Sequence, residues 1–208
     1  MLVLITGKAQ AGKDTIGEYL RIAYGFKTDS LAAPIKRLVQ DIFVLPHDVV
    51  YDRKKREEPL GDPWSGNTVR SLLQIIGTEL FRNNINKDVW ALSLWLRINA
   101  QSEENWAVTD VRFPNEKEVL SNRYNGKIAT ITVSRPGCDG STSGGIKGHE
   151  SENYSIPSDF AICNDGSIIE LYKQVDKVMN ECGLLSLEQQ RDKEAIKIAS
   201  EILKDLNV

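Results

Sequence analysis

Apolar residues come in two rhythms along the chain. The run "LVLIT" (2–6) is continuously apolar, partly β-branched, and stops at Gly7. A short run of this kind suits a strand buried on both faces, as in a parallel sheet. From Lys13 the rhythm changes. Ile16, Tyr19, Leu20 and Ala23 recur at helical spacing, and Gly25 ends the helix. A second helix is expected from about Pro34, with Ile35, Leu38, Val39 and Ile42 on one face. Asn67 or Thr68 can cap a third, in which Val69, Leu72, Leu73, Ile76 and Leu80 share a face. A fourth starts near Asp88 and carries Trp90, Trp95 and Leu96.

Strand patterns return at "NWAVTDVR" (105–112), "KIATITVSR" (127–135) and "DFAICNDG" (159–166). Helical patterns alternate with them at "EKEVLSNRY" (116–124), "SIIELYKQVDKVM" (167–179) and "SLEQQRDKEAIKIASEILKDL" (186–206). Strands alternating with helices predict an α/β fold with a mainly parallel sheet. Residues 46–67 hold prolines, glycines and a charge run, and are expected to form a mobile segment. Residues 136–157 are Gly/Ser-rich and resemble a lid. One domain, 1–208, accounts for the whole pattern.

Composition narrows the partners. The net charge of −3 speaks against general nucleic-acid binding, so an anionic ligand must be held by local Arg and Lys. There is no signal-peptide pattern and no apolar run near the ~20 residues of a membrane span. Cys138, Cys163 and Cys182 have no metal-type spacing and read as reduced thiols in a cytosol. The expected location is cytoplasmic.

The chemistry begins at "GKAQAGKDT" (7–15), between the first strand and the first helix. It has the spacing of a phosphate loop. Glycines let backbone N–H groups close on an anion, Lys13 adds a point charge, and the helix adds its positive end. Asp14 stands where a magnesium-binding hydroxyl is usual. It is either a first-turn carboxylate that favours the helix dipole, or a magnesium contact, with the Thr15 hydroxyl beside it.

Asp110 and Arg112 follow the second strand pattern, at the end where α/β sheets bind ligands. Arg53 to Arg56 form a cationic run that is either a solvated face or a phosphate clamp. Lys36, Arg70 and Arg135 are further cations at helix starts or a strand end. His149, with Glu150 and Glu152, fits no zinc pattern.

Together these segments resemble the phage-type deoxynucleoside monophosphate kinases, a family of P-loop enzymes. The resemblance runs in order through "GKAQAGKDT", "APIK" (33–36), "YDR" (51–53) and "VRSLLQIIGTEL" (69–80), then "NN" (83–84) and Trp90. It continues through "DVRFPNE" (110–116), "RPG" (135–137), "HESE" (149–152) and "NDGSIIEL" (164–171). It implies a P-loop NTPase fold, with a monophosphate-binding region over about 28–90. The implied reaction is ATP- and Mg2+-dependent phosphorylation of a deoxynucleoside monophosphate.

By the same resemblance, Gly7, Ala11, Gly12, Lys13, Asp14 and Thr15 would bind ATP, and Asp14 and Thr15 the metal. Lys36, Arg53, Arg70, Gly77, Thr78, Trp90, Asp110, Arg112 and Glu116 would line the acceptor site. Lys13, Asp110, Arg112 and Arg135 would take part in transfer. Ala9, Gln10 and Ala11 stand where the family carries Lys-Arg-Ser, segment 46–67 is short, and the 186–206 helix is an extension. The acceptor base therefore stays open. So does a homodimer, since an apolar helix face serves a partner or the core equally. Another small-molecule P-loop kinase and a non-catalytic nucleotide switch are the competing readings.

Overall fold

The computed structural model describes residues 1–101, 104–138, 146 and 154–205, with side chains to Ile196. Five strands, β1 (Leu2–Thr6), β2 (Lys27–Asp29), β3 (Trp106–Val108), β4 (Ile128–Ser134) and β5 (Phe160–Cys163), form one sheet. Its order is β2-β3-β1-β4-β5, and every pairing is parallel. β1 lies at the centre, with Leu4 opposite Val108 on one side and Thr130 on the other.

The unbroken apolar run of β1 has a simple cause. Leu2 and Leu4 pack into a core on one face, while Val3 and Ile5 pack into a second core on the other. Successive strand side chains point to opposite faces, so a strand covered on both sides must be apolar at every position. Helices α1 (Lys13–Tyr24) and α7 (Ile168–Glu181) contribute Ile16, Leu20, Leu171 and Val175 to the second core.

The first core is filled from α2 (Ala33–Phe43), α4 (Val69–Gln74), α5 (Val89–Asn99) and α6 (Pro114–Arg123). α3 (His47–Tyr51) is a short helix in segment 46–67, and α8 (Leu187–Asp205) is the helix expected over 186–206. No described helix is long and apolar enough to cross a membrane.

Four expectations need correction. β2 carries no apolar pattern because it is a three-residue edge strand with exposed or half-exposed side chains. Segment 46–67 is not uniformly irregular. It holds α3, a 3₁₀ turn at Lys55–Glu57 and a bridge between Pro59 and Thr68, and the Trp64 indole donates to the Phe43 carbonyl at 3.0 Å. Ile42, expected inward, is exposed, as is Leu96.

The fourth concerns the third helix. Thr68 does cap it, in a reciprocal pair with Ser71. After Gln74, however, the helix widens into a π-helix at Ile75–Arg82. Bonds from i to i+5 slow the angular advance per residue. Leu80 consequently turns out, at 53% exposure, while Gly77 and Thr78 turn in.

Candidate active site

The loop 7–12 joins the C-terminal end of β1 to α1. Gly7 has φ 137°, and a Cβ there would lie 2.1 Å from the Val133 carbonyl oxygen of β4. No other residue fits that approach. Gly12 has φ 109°, and its space is limited by Asn164, whose side-chain amide donates to the Ala11 carbonyl at 2.9 Å. Ala11 itself is fully buried. The loop is thus fixed from both β4 and the turn after β5.

Lys13 lies back across this loop and donates to the Gly7 and Lys8 carbonyls at 2.8 and 2.7 Å. Burial, then the nearby Arg112 charge, lowers its pKa to about 8. Among the described residues no side chain caps the start of α1, which leaves its first N–H groups available to an anion. A polyphosphate fits this arrangement. Asp14 is exposed and accepts a hydrogen bond from the Thr109 hydroxyl at 2.9 Å, which aims its carboxylate across the ends of β1 and β3. Thr15 is half-buried next to it. Two hard oxygen donors at one helix start fit Mg2+, which keeps several waters. Among the described residues no cluster of three metal-ligating His, Cys, Asp or Glu side chains occurs.

One cavity opens beside the loop, and a second shares Arg70 and Arg112 with it. The first, about 210 Å³, is lined by Gly7, Lys8, Ala9 and Lys13 from the loop, by Arg70 and Arg112, and by Tyr154 to Ile156. The second, about 110 Å³, lies under α2, α4 and the π-helix. Lys36, Arg70, Gly77, Thr78, Trp90, Asp110, Arg112 and Glu116 all line it. Eight of the nine residues expected at the acceptor site therefore converge. Arg70 and Arg112 belong to both cavities.

The ninth, Arg53, is exposed and lines neither cavity; Arg56 occupies the second one instead. Burial lowers the Arg56 pKa, with the Arg70 charge adding to it, and its Nε has no hydrogen-bond partner among the described residues. The reason is local. The Asp52 carboxylate accepts from the Lys54 and Lys55 N–H groups, which starts the 3₁₀ turn that swings Arg56 inward. Arg70 is held by Glu57 at 3.6 Å, from the same turn. Burial likewise lowers the Lys36 pKa.

Asp110 and Glu116 do structural work in the wall. The two Asp110 oxygens accept the Leu31 and Ala32 N–H groups at 2.8 and 2.9 Å, fixing the turn into α2. One Glu116 oxygen accepts the N–H groups of Arg112 and Phe113 at 2.8 and 3.0 Å. Burial raises both carboxyl groups, that of Glu116 to about 7. Trp90 donates to the Gly77 carbonyl at 2.6 Å, so the π-helix and α5 close one end of the cavity.

Arg135 is exposed beyond β4 and lines neither cavity. Most of the expected lid, including His149, Glu150 and Glu152, lies outside the described residues. Gln74 and Thr109 were not singled out by sequence. Gln74 lies one helical turn from Arg70, and that spacing is a signal that could have found it.

The parallel sheet, the loop above β1 and the paired cavities place the chain among P-loop kinases in form. Comparison with known proteins makes this specific. A family profile described as deoxynucleotide monophosphate kinase matches residues 54–175. A protein of Acanthamoeba polyphaga mimivirus, provisionally named a deoxynucleotide monophosphate kinase, is 30% identical over 187 residues, spanning 84% of this chain and 94% of that protein. Deoxynucleoside-5'-monophosphate kinase of Escherichia phage T5 is 41% identical over 65 residues, 31% of this chain and 26% of that protein. Among solved structures, a sugar kinase from a Janibacter species aligns with a TM-score of 0.48 at 12% identity, covering 88% of this chain and 94% of that one. The chain belongs to the deoxynucleotide monophosphate kinase family, and it is a nucleotide-binding transferase and an enzyme.

Proposed function

We propose that the chain transfers the terminal phosphoryl group of ATP to a deoxynucleoside monophosphate, making the diphosphate for nucleotide biosynthesis. One observation carries this reading: a phosphate-loop cavity and a second cationic cavity share Arg70 and Arg112. Two polyanions held in these cavities would meet at the shared cations, where the reacting phosphates repel each other most.

Phosphoryl transfer asks mainly for positioning and charge neutralisation. Lys13, the loop N–H groups and the start of α1 hold the donor phosphates. Lys36, Arg56, Arg70 and Arg112 hold the acceptor phosphate. An acceptor oxygen attacks the terminal phosphorus, the bond to the bridging oxygen breaks, and ADP leaves with that oxygen's electrons. The attacking oxygen is already anionic, so no side chain need remove a proton. Asp14 and Thr15 would hold bound Mg2+, which would neutralise phosphate charge. Asp110 acts by fixing the turn that presents Lys36, and Glu116 by fixing the backbone of Arg112.

The test is a panel of deoxynucleoside and ribonucleoside monophosphates with ATP and Mg2+, scored for diphosphate and ADP. Deoxynucleotide-dependent ADP release is expected. Release that is independent of any monophosphate, or none at all, overturns the reading.

A further inference from the structure

Gln74 ends α4, where the helix widens, and it lines the second cavity at 7% exposure. Its Oε1 accepts the Ile146 N–H at 2.6 Å. That bond settles which way the amide is turned, because an N–H can pair only with the oxygen. The other end, Nε2, is buried without a hydrogen-bond partner among the described residues. A buried amide nitrogen left unpaired is costly, and such a group in a ligand cavity points to a ligand acceptor atom.

Position says which part of the ligand it meets. Arg70 precedes Gln74 by four residues on α4, about 6 Å along the axis. Arg70 belongs with the phosphate-holding cations, so Gln74 stands one turn further from the phosphate. Unlike Arg70, Gln74 does not line the phosphate-loop cavity, and the cavity it does line includes the apolar and aromatic side chains of Ile35, Leu73, Trp90 and Phe113. That is a surface for a nucleobase, not for a phosphate.

We infer that Gln74 is a specificity-determining residue that reads the acceptor's base, its Nε2 donating to a ring carbonyl oxygen of thymine or guanine. Adenine and cytosine present an amino group at the corresponding edge, which would face the amide donor to donor. This rests on the second cavity being the acceptor site. The Ile146 bond supplies the fixed orientation that discrimination requires. With a freely turning amide, either end could be offered and the two base classes would be accepted alike.

The experiment measures kcat/KM for dTMP, dGMP, dAMP and dCMP with saturating ATP and Mg2+, in the wild type, Gln74→Glu and Gln74→Leu. In the wild type dTMP and dGMP are favoured. Gln74→Glu replaces the donor by an acceptor while keeping an oxygen for Ile146, and should shift the ratio of dAMP to dTMP by about tenfold towards dAMP, the scale of one hydrogen bond. Gln74→Leu should flatten the preference. The KM for ATP serves as the folding control. Equal loss on all four acceptors would make Gln74 only a strut for the Ile146 segment, and an unchanged order of acceptors would remove it from the base site. Either result overturns the inference. If the wild type phosphorylates none of the four, the failure belongs to the proposed function instead.

Discussion

Lys13 shows how a single residue is tuned by its surroundings. In sequence it is the cation of a phosphate loop. In the fold it is largely covered, close to Arg112, and folded back on two loop carbonyls, so its pKa falls to about 8. The sign of the consequence follows. Above about pH 8 the unliganded lysine is increasingly neutral, and binding a polyphosphate must recharge it. ATP affinity should therefore weaken as pH rises through 8, and binding near pH 8 should take up a fraction of a proton. Calorimetry in buffers of different ionisation heat measures that uptake; zero uptake would mean Lys13 is fully charged beforehand. Gly7 teaches a different lesson. The motif explains its glycine by close approach to phosphate, but the atom a Cβ would strike is the Val133 carbonyl. Asp14 likewise acquires a partner, Thr109, that lies 95 residues away and that no spacing rule could supply.

At the scale of elements, the segment 46–67 changes most between sequence and structure. Its charge run offered several cations, of which the family resemblance picked out Arg53. The 3₁₀ turn at Lys55–Glu57 favours another, because it sends Arg56 into the second cavity and brings Glu57 to Arg70. Arg56→Ala should raise the acceptor KM or lower kcat by tenfold or more, roughly the scale of a charge-assisted hydrogen bond. Arg53→Ala should have a small effect, and ATP binding should be little altered in either. Steady-state kinetics with each substrate varied separately decides it; a larger effect at Arg53 would show that the turn rearranges with substrate. The π-helix is the second such element. Its apolar spacing predicted an ordinary helix through Leu80, and the widened turn instead offers Gly77 and Thr78 to the cavity. Helix periodicity reads the α-helical repeat, so a change of pitch within one helix escapes it.

Across the whole molecule, site and stability are coupled through Glu116. It is 4% exposed, holds the backbone of Arg112 and Phe113, and burial raises its carboxyl from 4.5 to about 7. A group raised in the folded state contributes stability that is fully present below the unfolded pKa and lost as pH rises through the folded one. Glu116→Gln removes that titration and keeps an oxygen for the two N–H groups. Relative to wild type, the variant should match it near pH 4 and be more stable at pH 8, on the order of 3 kcal/mol for the full shift. Urea unfolding at the two pH values tests this; a constant difference would show that Glu116 does not titrate between them. The same variant should bind acceptor less well if the remaining carboxylate oxygen is used there.

The sequence alone determined the parts governed by near neighbours. Apolar periodicity drew β1, β3, β4, β5 and most helices, since burial on a strand or helix face repeats with a fixed local period. The loop 7–15 was legible because its glycines and Lys13 act within a few residues of one another. What the tertiary structure decided was which distant residues meet. Asn164 against the loop, Asp110 against the turn into α2, Arg56 in place of Arg53, and Gln74 held by Ile146 all join segments far apart in the chain. β2 also waited for the fold, because a short polar strand gains its place from its hydrogen bonds to β3 and not from side chains it buries. Contacts of that kind arise from packing and from the demand that buried polar groups find partners, and neither leaves a period in the sequence.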